Sequence, residues 1–370
     1  MHAKPELSFN EYNTADFIES TLGKLGVSVT RMAKTGLVVN LQGKKPGKVV
    51  ALRADIDALP IEEKNNVPYK STNNGVMHAC GHDAHTASLL GTAMILNELK
   101  DEWAGTIKLI FQPGEERIPG GASIMIKEGV LENPSPESIL GQHVFPPLEA
   151  GKVGFCSGTY MASCDEIYLA IKGKGGHAAV PSSYVNPILI SSAILLELNE
   201  KFMKKPINDI PTVLAFGKVQ ANGATNVIPE TVSIDGTFRT MNEAWRKEAH
   251  EIIRKTIIAK AKEMGGDCDV RIDIGYPVLV NSDTITSNAR TAAEDFLGKD
   301  NVVTLEKRMS SEDFAFYSLT KPVCFYRLGT GNVARGITSG VHTPTFDIDE
   351  KALETGMGLM AWLAINELKK

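Results

Sequence analysis

Three stretches in the first half of the chain repeat one design. In GKVVALRADIDALP an apolar run from Val49 to Leu52 leads into Asp55 and Asp57. In GTIKLIFQPGEE the run Ile107 to Phe111 leads into Pro113, Gly114, Glu115 and Glu116. In SILGQHVFP the run from Ile139 ends at His143. Short apolar runs bounded by Gly and Pro predict strands buried on both faces. Between the first two, Ala84 to Lys100 has the composition and length of a helix. Strands alternating with helices predict an α/β fold with a mainly parallel sheet. Such sheets form their sites at the carboxyl ends of strands. Here each predicted strand ends in groups able to bind a metal.

The middle of the chain follows another pattern. DEIYLAIKGKGG reads as a strand, PILISSAILLELNEKF as a helix, TVLAFGKVQ and TVSIDGTFRT as two strands. NEAWRKEAHEIIRKTIIAKAKEMGG reads as a long amphipathic helix and CDVRIDIGY as a last strand. The order β-α-β-β-α-β is that of a ferredoxin-like split α+β fold. It predicts a smaller domain over 163–276, inserted into a catalytic domain made of 1–162 and 277–370. After it, Thr284 to Leu297 reads as a helix, PVCFYRLGT as a strand, and DEKALETGMGLMAWLAINELKK as a closing helix that Asp349 can cap.

A length of 370 residues agrees with two domains on a prior of about 150 residues each. The 39 Lys and Arg against 44 Asp and Glu give a net charge of -5 with no basic block, which argues against nucleic acid or an anionic membrane as partner. No apolar run reaches the roughly 18 residues of a membrane span. Polar MHAKPELSFNEYNT stands where the apolar part of a signal peptide would lie. The five cysteines are odd in number and scattered, as expected of reduced thiols in a cytoplasmic protein.

One of those thiols lies in NGVMHACGHDAHTAS, Asn74 to Ser88, among three histidines and an aspartate. Cys80 and His82 sit two apart, with His78 and His85 flanking. A thiolate and a neutral imidazole suit zinc well, and manganese or cobalt less strongly. Glu115 and Glu116 are adjacent, so in extended chain their carboxylates point to opposite sides. One can hold a metal while the other faces a reacting water. His143 closes the third strand, and His342 lies in the Gly- and Pro-marked loop SGVHTPTFD. Cys80, His82, Glu116, His143 and His342 exceed a closed four-coordinate zinc site and suit two divalent metals with open positions. The bland readings are a satisfied buried His143, a solvated Glu pair, and local hydrogen bonding by His78 and His85, which stay outside the ligand set. A different chemistry would make Cys80 a nucleophile activated by histidine without metal. Gly-rich KGKGGH lacks the pattern of a phosphate loop.

PELSFNE, RADIDALP, MHACGHDAH, QPGEE, GQHVFP, GKGGHAAVP, NVIP, GTFRT, SEDFAFY and VHTPTFD, in this order over nearly the whole chain, resemble the M20 family of metallopeptidases. The resemblance is to its amidohydrolase branch, which includes indoleacetyl-amino-acid hydrolases, hippurate hydrolases and N-acetyl-diaminopimelate deacetylases. It implies a zinc-peptidase α/β domain with an inserted lid that commonly dimerises. It implies that Cys80, His82, Glu116, His143 and His342 bind two divalent metals (zinc, manganese, cobalt or nickel), with Glu115 as general base. His177 matches a lid histidine that stabilises the oxyanion, Asn226 and Arg239 match positions that contact the substrate's carboxylate, and Asp57 matches an acid that orients a ligand histidine. The expected activity is hydrolysis of the amide bond of N-acyl amino acids. A carboxypeptidase or dipeptidase acting on short peptides, and an inactive metal-binding relative, are the alternatives. Relatives carry a helical lead-in before the HxxPEL element, whereas this chain starts inside it at Met1 and His2, as expected of a misassigned or trimmed start.

Overall fold

The computed structural model describes residues 1–204 and 206–370. The chain divides into two compact units. The first comprises Met1–Tyr160, Val280–Lys307 and Glu312–Lys370, the second Met161–Leu279 with Arg308–Ser311.

The first unit is built on an eight-stranded sheet in the order Val29–Met32, Gly36–Gln42, Thr106–Gln112, Val49–Asp55, Ser138–Glu149, Val323–Gly331, Val153–Phe155 and Val302–Thr304. Its four central strands are parallel. Every residue of Thr106–Gln112 is buried, and all of Val49–Asp55 but the first. That is why they read as unbroken apolar runs rather than as alternation. From Val49–Asp55 the chain passes to a neighbour on one side and then to Ser138–Glu149 on the other. This reversal opens a crevice at the carboxyl ends, where α/β sheets place ligands.

The helix predicted at Ala84–Lys100 runs from His82 to Glu98. It shares one core with Asp283–Leu297 and Lys351–Leu368, through Leu89, Leu96, Ile285, Leu359 and Leu363. Glu350, not Asp349, is the N-cap of the closing helix; Asp349 lies one residue earlier, its Oδ1 accepting the Lys351 N–H at 3.1 Å. A second expectation is corrected. His143 does not end its strand, which continues to Glu149. Pairing with Val49–Asp55 stops at Gly141, while pairing with Val323–Gly331 carries on past His143. His143 thus lies just beyond one neighbour's end while still held by the other.

The second unit is a four-stranded antiparallel sheet in the order Thr212–Ala221, Thr231–Thr240, Asp165–Lys172 and Asp267–Ile274. Pro187–Asn199 and Glu243–Glu263 are its two helices, an α+β arrangement. Asn186 and Asn242 cap them by accepting the N–H of Ile188 and Trp245. Asp165–Lys172 alternates buried and half-buried residues, as a one-sided sheet requires. Its first residue, fully buried Asp165, accepts from Arg246 Nε at 2.9 Å and pairs with His250 at 2.7 Å. Arg308–Ser311, which no sequence pattern singles out, joins this unit because the Ala162 N–H bonds the carbonyls of Arg308 and Ser310.

Candidate metal centre

Cys80 and His82 are brought to one side by the turn between them. Gly81 has φ +76°, and a Cβ there would lie 2.7 Å from Val144 Cγ2. Only glycine combines that left-handed backbone with that contact. The turn starts the helix at His82 and leaves Cys80 just before it. Cys80 Sγ lies 3.5 Å from His143 Nε2. The donor atoms of Cys80, His82 and His143 lie within 4.8 Å of one another, and so do those of Cys80, Glu116 and His342. Cys80 is common to both groups. His82, Glu115 and Glu116 form a third.

Each ring is aimed by its second nitrogen. His82 Nδ1 pairs with Asp57 Oδ1 at 3.1 Å, and His143 Nδ1 donates to the Val144 carbonyl at 2.8 Å. Asp57 Oδ2 also accepts from Ser8 Oγ at 2.6 Å and from the Glu116 N–H at 3.0 Å. Burial opposes its charge, but His82, Ser8 and the Glu116 amide together hold Asp57 below the ordinary carboxylate range. His342 reaches the site from its loop because its N–H bonds the Ala79 carbonyl at 2.7 Å. His342 Nε2 then stands 3.1 Å from Glu116 Oε1.

Two buried atoms here make no hydrogen bond, His82 Nε2 and Glu116 Oε1. The short approach of His342 to Glu116 is an ion-pair distance without hydrogen-bond geometry. Orphaned polar atoms are costly in a protein interior. A divalent cation would satisfy both, so the donor set fits a metal. Burial raises the Cys80 thiol, Glu116 adds to this, and His82 and His342 oppose it. Burial also pushes Glu115 well above the usual carboxylate range, with Glu312, Glu116 and Asp313 acting in the same direction.

Behind the donors lies a network that the motifs do not reveal. Arg53 is fully buried and bonds Asp55, Glu312, Asp313 and Gln112 at 2.7, 3.0, 2.8 and 2.9 Å. Glu115 accepts the Asp313 N–H at 3.4 Å. The available signal was an arginine inside an otherwise apolar strand. Glu11, just before the helix Tyr12–Gly23, is another buried charged residue that the sequence reading left without a role. Fully buried, it accepts the N–H groups of Phe9 and Gly114 and the Thr35 hydroxyl. Ser8 and Glu11 thus tie PELSFNE to the residues that follow two central strands.

The flanking histidines are not local hydrogen bonders. His85 bonds Asp55 and the Val144 N–H, both distant in sequence. His78 is buried with neither ring nitrogen hydrogen-bonded. In the second unit, His177 is exposed and pairs with Val227 in a two-stranded ribbon. Asn226, also exposed, accepts the Ala178 N–H through its carbonyl. Arg239 is half-buried and donates to the Met309 carbonyl and Ser311 Oγ, both at 3.3 Å.

His2 lies against Asp83 at 2.7 Å and Glu63 at 3.4 Å. Burial lowers its pKa, but the two acids outweigh it and raise His2 to about 9. A raised folded pKa gives stability that is complete below the unfolded value near 6.5 and is lost as pH rises through about 9. The expected size is about 1–3 kcal/mol. Urea unfolding of metal-free protein from pH 6 to pH 9.5 checks it. The advantage of wild type over His2→Gln should shrink with rising pH; a pH-independent difference contradicts the assignment.

Thiolate, imidazole and carboxylate donors at the carboxyl ends of a parallel sheet, with a spare glutamate beside them, define a metal-dependent hydrolase of amide bonds. The model of peptidase family M20/M25/M40 matches residues 51–366. An N-acyl-L-amino acid amidohydrolase of Geobacillus stearothermophilus is 40% identical over 76% of this chain and 76% of its own length. An N-acetylcysteine deacetylase of Bacillus subtilis is 37% identical over 99% of this chain and 94% of its own. A solved Bacillus subtilis structure, described as a dinuclear metal binding peptidase from the M20 family, superposes with TM-score 0.84 at 35% identity, covering 100% of this chain and 95% of that one. The chain belongs to peptidase family M20/M25/M40.

Proposed function

We propose that this protein hydrolyses the amide bond of N-acyl amino acids, using two divalent cations held by Cys80, His82, Glu116, His143 and His342. The observation that carries this reading is the pair of donor groups sharing Cys80, with Glu115 beside them. The names of the relatives agree with the substrate class. Zinc is the proposed metal, since thiolate and imidazole suit it best.

Cations bound here would polarise the scissile carbonyl and acidify water. Glu115 takes the proton of the attacking water on its carboxylate and returns it to the leaving nitrogen. Asp57 and the Val144 carbonyl hold His82 and His143 with Nε2 facing inward. The roles of His177 as oxyanion donor, worth about 3 kcal/mol, and of Asn226 and Arg239 as holders of the substrate carboxylate, rest on the family resemblance. A homodimer through the second unit is supported by Leu189 and Leu196, 59% and 68% exposed on one helix. A cytoplasmic location is supported by the five free cysteines. Among the described residues no helix is long and apolar enough to cross a membrane.

Metal analysis, combined with assays of N-acetylcysteine, N-acetylmethionine, hippurate, indoleacetyl conjugates and dipeptides, tests this. About two metals per chain are expected, with acyl release that chelator abolishes and added metal restores. Chelator-insensitive activity would return Cys80 to the role of nucleophile, and cleavage of dipeptides alone would make the protein a peptidase.

A further inference from the structure

Asp55, His82 and His85 are buried and bring ligand atoms within 4.8 Å of one another, close enough to hold an ion. The hydrogen bonds exclude His85 from such a role. The Val144 N–H can only donate, and it points at His85 Nε2 at 2.8 Å. Nε2 therefore spends its lone pair on that bond. The ring proton sits on Nδ1, 2.5 Å from Asp55 Oδ1. With both nitrogens engaged, His85 has no lone pair left for a cation.

Val144 is the point where these contacts meet. Its N–H is held by His85, and its carbonyl accepts from His143 Nδ1. Its side chain packs so closely on Gly81 that no Cβ fits there, and Gly81 separates Cys80 from His82. The His85 ring stands beside both candidate ligand rings, with centroids 4.7 Å from His143 and 5.4 Å from His82. Asp55 is in turn fixed by Arg53 at 2.7 Å.

We propose that His85 is a positioning residue: held by Asp55 as the Nδ1–H tautomer, it pins the Val144 amide and so fixes the His143 ring and the Gly81 turn for cation binding. This rests on the reading of Cys80, His82 and His143 as donors. The His85 ring does not touch the cation; it sets the directions of groups that do. Partners of this kind change metal affinity without being ligands.

Two variants separate the two ends of the ring. In His85→Asn the amide falls near the Nδ1 position, so it keeps Asp55 and loses Val144. In His85→Gln the amide falls near the Nε2 position, so its carbonyl oxygen can still accept the Val144 N–H. Chelator-stripped protein is titrated with zinc, and with cobalt to follow thiolate-to-cobalt absorption. His85→Gln should bind both cations within about threefold of wild type. His85→Asn should bind one of them about 10–100-fold more weakly, with altered thiolate absorption. If the two variants bind alike, the proposal fails. Should either variant not fold, nitrogen NMR of the wild-type histidines decides. His85 should show the Nδ1–H tautomer with and without zinc, and direct metal coordination of either His85 nitrogen overturns the proposal. Wild type that binds no zinc at all brings down the two-cation reading and this inference with it.

Discussion

Glu115→Gln is expected to lower kcat by about 10²–10⁴-fold, the range of a lost general base, with metal content and thermal stability unchanged. The amide has the shape of the acid, so packing is preserved. It can still accept the Asp313 N–H that Glu115 accepts at 3.4 Å. What it cannot do is take up a proton. The neighbouring Glu116 belongs to a donor group with Cys80 and His342, so its replacement should act differently, through loss of metal. Steady-state kinetics alongside metal analysis distinguishes the two. A Glu115→Gln protein with wild-type kcat would remove Glu115 from the reaction and leave the donors without a base.

The largest effect on stability is expected at Arg53. Its guanidinium compensates Asp55, Glu312 and Asp313, all of them buried away from bulk solvent. Arg53→Met removes one partner and leaves buried carboxylates with too little positive charge. Such a loss costs about 3–5 kcal/mol. Arg53→Lys keeps the charge but lacks the planar fork that serves four acceptors, so it should fall between. Denaturant unfolding of metal-free protein measures both. Arg53→Met within about 1 kcal/mol of wild type would mean that the acids are already neutral without it.

Of the five candidate donors, Glu116 and His143 stood out because they follow apolar runs, Cys80 and His82 because they share one short His-rich motif, and His342 because of its Gly- and Pro-marked loop. Short apolar runs bounded by Gly and Pro placed the central strands. The α+β unit was legible from the order of its elements, with the alternation of Asp165–Lys172 and the amphipathic pattern of Glu243–Glu263 as the clearest local signals. The Arg53 network was not. Arg53 meets Glu312 and Asp313 only after folding, and nothing local says which acid will face which base. His85 shows the same limit. Its position on the first turn of a helix suggested local bonding, but its partners come from the two adjacent strands. His143 seemed to end a strand, yet the strand runs on to Glu149, its pairing with Val323–Gly331 shifting register beyond Phe145.

The parallel pairing of Ser138–Glu149 with Val323–Gly331 has a consequence for biosynthesis. The second strand leaves the ribosome after the whole inserted unit has been made. At about 5–20 residues per second this delay is roughly 10–40 s. Through that interval the nascent sheet has an open edge at Ser138–Glu149, a surface prone to pairing with other chains. His342 emerges later still. The α+β unit can therefore be complete, and its core closed, while the first unit waits for its last strand and last candidate donor. On the proposed reading of His342 as a donor, metal capture would belong to the final stage of synthesis, when the open edge is sealed.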